Sequence, residues 1–410
     1  MTPSIADAEW LAEPHLQTVL GALARDGEEA RVVGGAVRNA LLGLPAKDID
    51  IATTRLPDNV IAVTEAEGYR PVPTGIEHGT VTIVTPAGPY EVTTLRTDLE
   101  TDGRHAVVAF GRDWQSDAER RDLTVNALYA ESDGRVVDLV GGVADLEKRL
   151  IRFIGDPDRR IEEDALRILR FFRFHAQYGA GRPDAEGLKA CARHKGMLSA
   201  LSAERVWSEL RRLLGTPDPH RTVLWMRQTS VLTSILPESE RWGIDGLGPL
   251  IAVEERLDLE PDPLLRLMAI IPLSTERVAA LSERLRLSNE ERDRLLEWAG
   301  AEFGEKTWTD TPAETERTLY RKGSRPYIDH ALLALARSVA SADDDLGQRL
   351  HERIALALNW KPLTFPIKGR DLIENGAAPG PDLGRMLGRL EDEWIASGFK
   401  LDRDELLARM

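Results

Sequence analysis

The chain has a single cysteine, Cys191, so no disulfide can form within it, and a lone thiol fits a reducing cytoplasm. No apolar run approaches membrane length. The opening stretch MTPSIADAEWLAEPHLQ is acidic and lacks the apolar core of a signal peptide. Internal repeats and low-complexity tracts are missing. So is any G-x-x-x-x-G-K-[ST], which removes the P-loop enzymes. A surplus of positive charge is also absent. The formal net charge is −15, a balance that runs against nucleic-acid binding. What remains is a soluble, cytoplasmic chain of 410 residues, room for roughly two to four domains.

The charge is unevenly spread. Lys148 to Arg173 holds eight Lys or Arg against five Asp or Glu. Basic residues gathered on one face bind phosphate even where the rest of the surface repels it. The first 150 or so residues mix periods. RVVGG and DIDIAT are short strand-like runs, and TVTIVT and YEVTTLR are alternating strands joined by PAGP. AVRNALL, stopped by Gly43, and PDNVIAVTEAEG, stopped by Gly68, read as helices. Residues 96–116 are polar and read largely as a long mobile loop. From about residue 142 the strand signals stop and helical period takes over. The chain is therefore α+β, a mixed head with a small sheet on a helical body.

Three groups of residues carry chemistry. Asp48 and Asp50 in AKDIDIAT fall on one side of a strand, with Ile49 and Ile51 on the other. Side-by-side carboxylates repel, and a divalent cation relieves them. Mg²⁺ prefers one or two carboxylates plus substrate phosphate. Alone, the pair also reads as two surface aspartates beside a turn. Glu91, on a strand of the same head, offers a third acid, or else an exposed edge-strand residue. RVVGGAVRNALLG reads as strand, glycine turn and helix, with Gly35 at a helix start that offers free N–H groups to an anion. Arg38 in the first turn opposes the helix dipole unless a phosphate lies there. Otherwise the glycines only turn the chain and Arg38 points to solvent. Together, a glycine turn with Arg38 would hold a triphosphate and Asp48 with Asp50 the metals that activate it, for nucleotidyl transfer onto a hydroxyl.

The third group lies in RRIEEDALRILRFFRF, where Ile161, Ala165, Ile168 and Phe172 form a buried helical stripe. Asp164 and Arg167 are three apart on that helix and share a face beside it, with Arg170 and Arg173 continuing the row. Cytosine and adenine both present an amino donor beside a ring-nitrogen acceptor; guanine and uracil present the reverse. An acceptor-only aspartate with a donor-only arginine accepts C and A and rejects G and U. The bland alternative is a surface ion pair worth a few tenths of a kcal/mol.

In combination, GGAVRN…DIDIAT, EVTTLR, RRDLTVNALYA, DLVGG, EEDALRILRFFRF and SAERVWSELRRLL resemble, in order and spacing, the class II tRNA nucleotidyltransferases. These are the bacterial CCA-adding enzymes, grouped with bacterial poly(A) polymerases. The run covers roughly residues 30–215, and GRDLIENGAAPGPDLGRML resembles the family's tail. The resemblance implies a polymerase-β-like head (1–145), a base-reading neck (146–220), a helical body (221–350) and a tRNA-binding tail (351–410). It implies Asp48 and Asp50 as metal ligands, Gly35 and Arg38 as nucleotide contacts, and Arg121, Asp164 and Arg167 as a protein template for C and A. Arg170 and Arg173 fall nearby on phosphate or nucleotide. Glu91 matches a recurring acidic position, and Asp138, Gly141 and Gly142 a hinge-like motif. Two departures stand out. Asn39 replaces a common Asp, and the body lacks the adjacent His-Asp pair of relatives with a phosphohydrolase domain, so no such side activity is expected.

The expected reaction is attack of the tRNA 3′ hydroxyl on the α-phosphate of CTP twice and of ATP once, with Mg²⁺ as cofactor. The 96–116 loop would be the lever that shifts Asp164 and Arg167 between C and A. Candidate basic spots for tRNA are RKGSRP at 321–326, IKGRD at 367–371, and the helix starting near Asp382. Competing readings are a poly(A) polymerase, a partial CC-adding or A-adding enzyme, a metabolic nucleotidyltransferase and a non-catalytic RNA-binding protein.

Overall fold

The computed structural model describes residues 3–46, 48–101, 106–239 and 244–410, with the backbone alone for 97–101 and 106–108. The chain forms two compact units, Met1–Glu240 and Arg241–Met410. In the first, helix α1 (Pro14–Leu23) precedes β1 (Ala30–Val33), α2 (Gly35–Leu41), β2 (Asp50–Thr53), α3 (Pro57–Ala66), β3 (Arg70–Gly75), β4 (Thr80–Thr85) and β5 (Gly88–Thr94). With β8 (Leu128–Ala130) and β9 (Val136–Asp138) these strands make a seven-stranded sheet in the order β3-β4-β5-β2-β1-β8-β9. Only β2 and β5 run parallel, which places two strands distant in sequence side by side. Alternation explains the strands. In β4, Val81 and Ile83 are buried while Val84 is exposed. Gly34 precedes α2 at φ +74°, a conformation that needs glycine, so the turn after β1 is written into the sequence.

The segment read as a loop at 96–116 is largely regular. Strands β6 (Arg96–Thr101) and β7 (Ala106–Phe110) pair antiparallel as a separate ribbon, and α4 (Trp114–Glu119) follows; residues 102–105 lie outside the described part. The short apolar run VVAF paired where glycine and charge suggested irregular chain. Helix α4 supplies Trp114 and Ala118 to a core with Val33, Ala52, Leu95 and Tyr129. After β9, the Asp138 carboxylate accepts the backbone N–H groups of Val140, Gly141, Gly142 and Val143 at 2.9–3.2 Å. This fastens the start of α5 (Gly142–Glu147). The hinge-like motif is thus a clamped turn.

Helices follow: α6 (Pro157–Glu163), α7 (Leu166–Tyr178), α8 (Ala185–His194), α9 (Ala203–Leu214), α10 (His220–Gln228) and α11 (Val231–Ile235). The expected stripe is buried, since Ile161, Ala165, Ile168 and Phe172 are all at most 7% exposed. Phe171 stacks on Phe153 with centroids 5.1 Å apart, and Phe153 forms a β-bridge with Leu123 of the head, which seats α7 there. The single helix expected across this segment is broken, however. Asp164 is extended, at φ −155° and ψ 107°, between α6 and α7. Its carboxylate accepts the Leu166 N–H at 3.0 Å, the local bond by which a short acidic side chain competes with helix.

The second unit is helical, from α12 (Leu247–Arg256) through α13 (Pro263–Ile270), α14 (Thr275–Arg284), α15 (Asn289–Gly300), α16 (Pro312–Lys322), α17 (Ser324–Ser341), α18 (Asp344–Asn359), α19 (Gly369–Glu374), α20 (Pro381–Ala396) and α21 (Arg403–Leu407). Its end closes around Leu372, Leu390, Trp394 and Leu406, with Tyr320 and Phe399 packed against them. No helix among the described residues is long and apolar enough to cross a membrane.

Gly142 tests the clamped turn. A Cβ there would lie 2.3 Å from the Thr124 carbonyl oxygen, a backbone atom that cannot yield cheaply. Gly142→Ala is expected to destabilise the first unit by about 1–3 kcal/mol in urea unfolding. Gly21→Ala in α1, where nothing lies within 4 Å, should be neutral or stabilising by up to ~1 kcal/mol.

Candidate functional site

The acids come first. Asp50 opens β2 and sits in register with Glu91 of the parallel strand β5. Register partners in neighbouring strands point to the same face, and both side chains are exposed, whereas Ile51 and Val92 beneath them are fully buried. Glu91 is therefore on an interior strand beside Asp50, and the edge-strand alternative falls. Asp48 lies just before β2 rather than on it, exposed. Although the Asp50 residue keeps open surface, the protein packed around its carboxyl partly withdraws it from water; that, then the charge of Glu91, then that of Asp48, raise the carboxyl above its ordinary value, and Arg121 pulls the other way. Asp48, Asp50, Glu91 and Arg121 thus share one electrostatic site. The donors are all hard oxygens, which suits Mg²⁺. Among the described residues no three His, Cys, Asp or Glu form a ready-made metal cage.

Arg38 is 6% exposed and does not point to solvent. Its Nη1 donates to Asn126 Oδ1 at 2.5 Å, Nη2 to Tyr178 Oη at 2.8 Å, and Nε and Nη2 to Asn39 Oδ1 at 3.2 and 3.0 Å. Every partner is neutral. Burial pushes the guanidinium below its usual value, while Tyr178 works in the opposite sense. A buried cation with no acid in direct contact is only partly neutralised, here by Asp122 from farther off. Gly35 begins α2 and stands against Arg38, a Cβ there lying 3.7 Å from Nη2.

Arg121 is held by Asp117, whose carboxylate also takes Arg120 and the Tyr129 hydroxyl. Burial raises the Asp117 carboxyl, but Arg121 and Arg120 outweigh it and hold it below the usual range. One residue on, Asp122 accepts Arg170 Nε at 2.6 Å and Asn126 Nδ2 at 3.1 Å. Arg173 Nε donates to Glu209 of α9 at 2.6 Å. Phe174, 6% exposed, lies under three guanidinium groups, with Arg173, Arg38 and Arg170 at 4.3, 5.2 and 5.3 Å from its centroid.

Asp164 and Arg167 do not pair along one helix face as the spacing implied. Because the helix breaks at Asp164, its carboxylate meets Arg205 of α9 at 2.7 Å. Arg167 Nη1 donates to Glu163 at 2.6 Å and to the Arg160 carbonyl at 3.0 Å, and Nη2 to the Arg120 carbonyl at 3.2 Å. Among the described residues, Nε–H and one hydrogen on Nη2 of its five N–H groups have no acceptor. The motif RRDLTVNALYA already held Asp122 and Asn126; the sequence reading missed Glu163, Tyr178, Arg205 and Glu209 as site residues. The charged spacing of AERVWSEL, with Arg205 and Glu209 one turn apart, is the one signal that pointed their way.

The basic spot at 321–326 is largely engaged. Arg321 pairs with Asp392, Lys322 donates to the Glu302 carbonyl at 2.6 Å, and Arg325 meets Asp262 at 2.7 Å. Arg370 in the second spot is exposed, and the third is the start of α20 at Pro381.

Residues 30–152 match the family described as the poly A polymerase head domain, and residues 182–242 that described as the probable RNA and SrmB-binding site of polymerase A. The chain is 33% identical over 400 residues to CCA tRNA nucleotidyltransferase 1, mitochondrial, of Mus musculus, spanning 96% of this chain and 89% of that protein. It is 32% identical over 390 residues to the CCA-adding enzyme of Latilactobacillus sakei, spanning 93% of each. Among solved structures, the Bacillus stearothermophilus CCA-adding enzyme in complex with CTP aligns at a TM-score of 0.69 and 27% identity, covering 96% of this chain and 95% of that one.

The register of Asp50 and Glu91 has a measurable sign. Asp50's folded value lies above its unfolded one, so the stability it contributes is complete below the unfolded value and is lost as pH rises through the folded one. Glu91→Gln removes a repelling charge. In metal-free protein it should move the Asp50 carboxyl titration, followed by ¹³C NMR, to lower pH and raise stability at pH 7.

Proposed function

This chain belongs to the CCA-adding enzyme family of tRNA nucleotidyltransferases, and from that premise we propose the roles of its residues in adding C, C and A to the 3′ end of tRNA. The reaction joins the tRNA 3′ oxygen to the α-phosphorus of CTP or ATP, releases pyrophosphate, and uses no nucleic-acid template. One observation supports this arrangement above the others. The segment Arg120–Asp122 brings Arg121 into the field of Asp50 on one side and receives Arg167 and Arg170 of α7 on the other. The acids and the residues assigned to the incoming base are thereby tied to one stretch of backbone.

Enzymes of this class depend on a divalent cation, which we assign as Mg²⁺ held by Asp48 and Asp50. When bound, it neutralises triphosphate charge and activates the attacking hydroxyl. The protein's own residues do the rest. Gly35 and Arg38 hold the triphosphate, whose negative charge completes the neutralisation of Arg38. Arg170 and Arg173 add positive potential behind it. Asp48, Asp50 and Glu91 form the acidic floor that receives the hydroxyl proton. Asp164 offers its remaining lone pairs to the amino group of C or A, and Arg167 its unused N–H groups to the ring nitrogen. G and U would leave these groups unmatched, a heavy penalty where polar groups are desolvated. Residues 1–145 then carry the chemistry, 146–220 the base reading, and 221–350 and 351–410 the body and tail that hold tRNA through phosphate and shape. The setting is the cytoplasm, where the buried Cys191 stays reduced.

Length-resolved products from tRNA lacking its 3′ CCA test the assignment. CTP alone should add two residues, ATP alone none, and both together three; a single-nucleotide product or a poly(A) ladder would overturn it. Asp164→Ala, assayed with all four triphosphates, should lower the preference for C and A over G and U by about tenfold or more. Arg205→Ala, which releases the Asp164 carboxylate, should weaken that preference in the same direction without changing the metal requirement. Unaltered selectivity in both would remove Asp164 as the reader.

A further inference from the structure

Arg38 belongs to α2 in the head, yet one of its bonds comes from the far end of the neck helix. Tyr178 is the last residue of α7, and its hydroxyl accepts an Arg38 Nη2 hydrogen at 2.8 Å. Its ring also lies against the guanidinium, 4.1 Å from ring centroid to Cζ, and Phe174 stacks on it one turn earlier at 5.8 Å. The contacts form a closed circuit. Arg170 of α7 reaches Asp122, Asp122 holds Asn126, Asn126 accepts Arg38, and Arg38 returns to Tyr178 of α7. Four of the five Arg38 N–H groups are used within the protein, leaving for a ligand one on Nη1 and the part of the charge that Asp122 does not offset.

We propose that Tyr178 is a positioning residue for nucleotide binding: its hydroxyl and ring fix the Arg38 guanidinium so that the remaining N–H and the positive charge face the triphosphate. This rests on the reading of Arg38 as a phosphate ligand given above. Without the hydroxyl, one Nη2 hydrogen loses its acceptor and the fork can rotate away from the ligand. Nearby Arg173 repels Arg38, so the released side chain has a reason to move. The ring cushions both charges, and the hydroxyl sets direction. Tyr178 also places the phosphate grip at one end of α7 while Arg167 reads the base near the other, about 16 Å away along the helix, with Asp164 just before its first turn. The two ends of the incoming nucleotide are therefore gauged from one rigid element.

The experiment compares Tyr178→Phe with the wild-type enzyme. The substitution keeps the ring and its packing and removes only the hydroxyl. Calorimetric titration with CTP and separately with CMP reads the triphosphate apart from the base. Tyr178→Phe is expected to weaken CTP about five- to tenfold and leave CMP within twofold. In steady-state assays the KM for both CTP and ATP should rise by a similar factor. The KM for tRNA, the order of preference among the four bases and the thermal midpoint should stay near wild type. Tyr178→Leu, which also removes the ring, should shift the same quantities further. CTP affinity unchanged in Tyr178→Phe, or CTP and CMP weakened alike, would overturn the tyrosine's role while leaving the phosphate reading intact. A wild-type enzyme that binds CTP no better than CMP would overturn that reading, and the tyrosine's role with it.

Discussion

The buried carboxylate of Asp122 fixes the relation between the head and the neck helices. It takes Arg170 from α7, Asn126 from its own segment, and the backbone N–H of Leu123. Asn126 then holds Arg38, so one acid sets the guanidinium assigned to phosphate and the helix assigned to base reading. Burial alone would lift the Asp122 carboxyl, but Arg170 and the hydrogen bonds hold it below its usual range. Such a group is costly to leave unpaired and therefore permits few alternative arrangements. Asp117, five residues earlier, does the same for Arg120 and Arg121. Between them the two acids hold the stretch that links the residues assigned to catalysis with those assigned to selection.

Much of this was legible where the physics is local. The strand–glycine–helix run around Gly34 required a positive-φ residue and obtained one. The alternation of TVTIVT gave a strand, and the stripe through Ile161, Ile168 and Phe172 gave buried helix. Asp50 could be singled out because apolar neighbours pin its face. The adjacency of Asp50 and Glu91 was only partly legible, since parallel register is decided by tertiary pairing. The break at Asp164 was hidden because the apolar stripe continues in phase across it. The partners that matter at that break, Glu163 for Arg167 and Arg205 for Asp164, follow from where the extended residue sends each side chain. The ribbon at 96–110 was concealed by its glycine and charge content, which describe a turn and its flanks equally well.

The acidic total proved a poor guide for the same reason. Net charge sums the whole surface, whereas Arg38, Arg170 and Arg173 lie in one seam where, among the described residues, two carboxylates, Asp122 and Glu209, are in direct contact with them. A local surplus of positive potential survives inside a chain that carries −15 overall.

That surplus has a bearing on turnover. A cation that lacks an acid partner does not distinguish a substrate from its by-product. On the proposed assignment, the pyrophosphate expelled at each step carries the same oxygens that Arg38 would have held, and it begins its life already bound. Its departure must precede the entry of the next nucleotide, so under that assignment the first two of the three additions each end in an exchange of one polyanion for another at a single arginine.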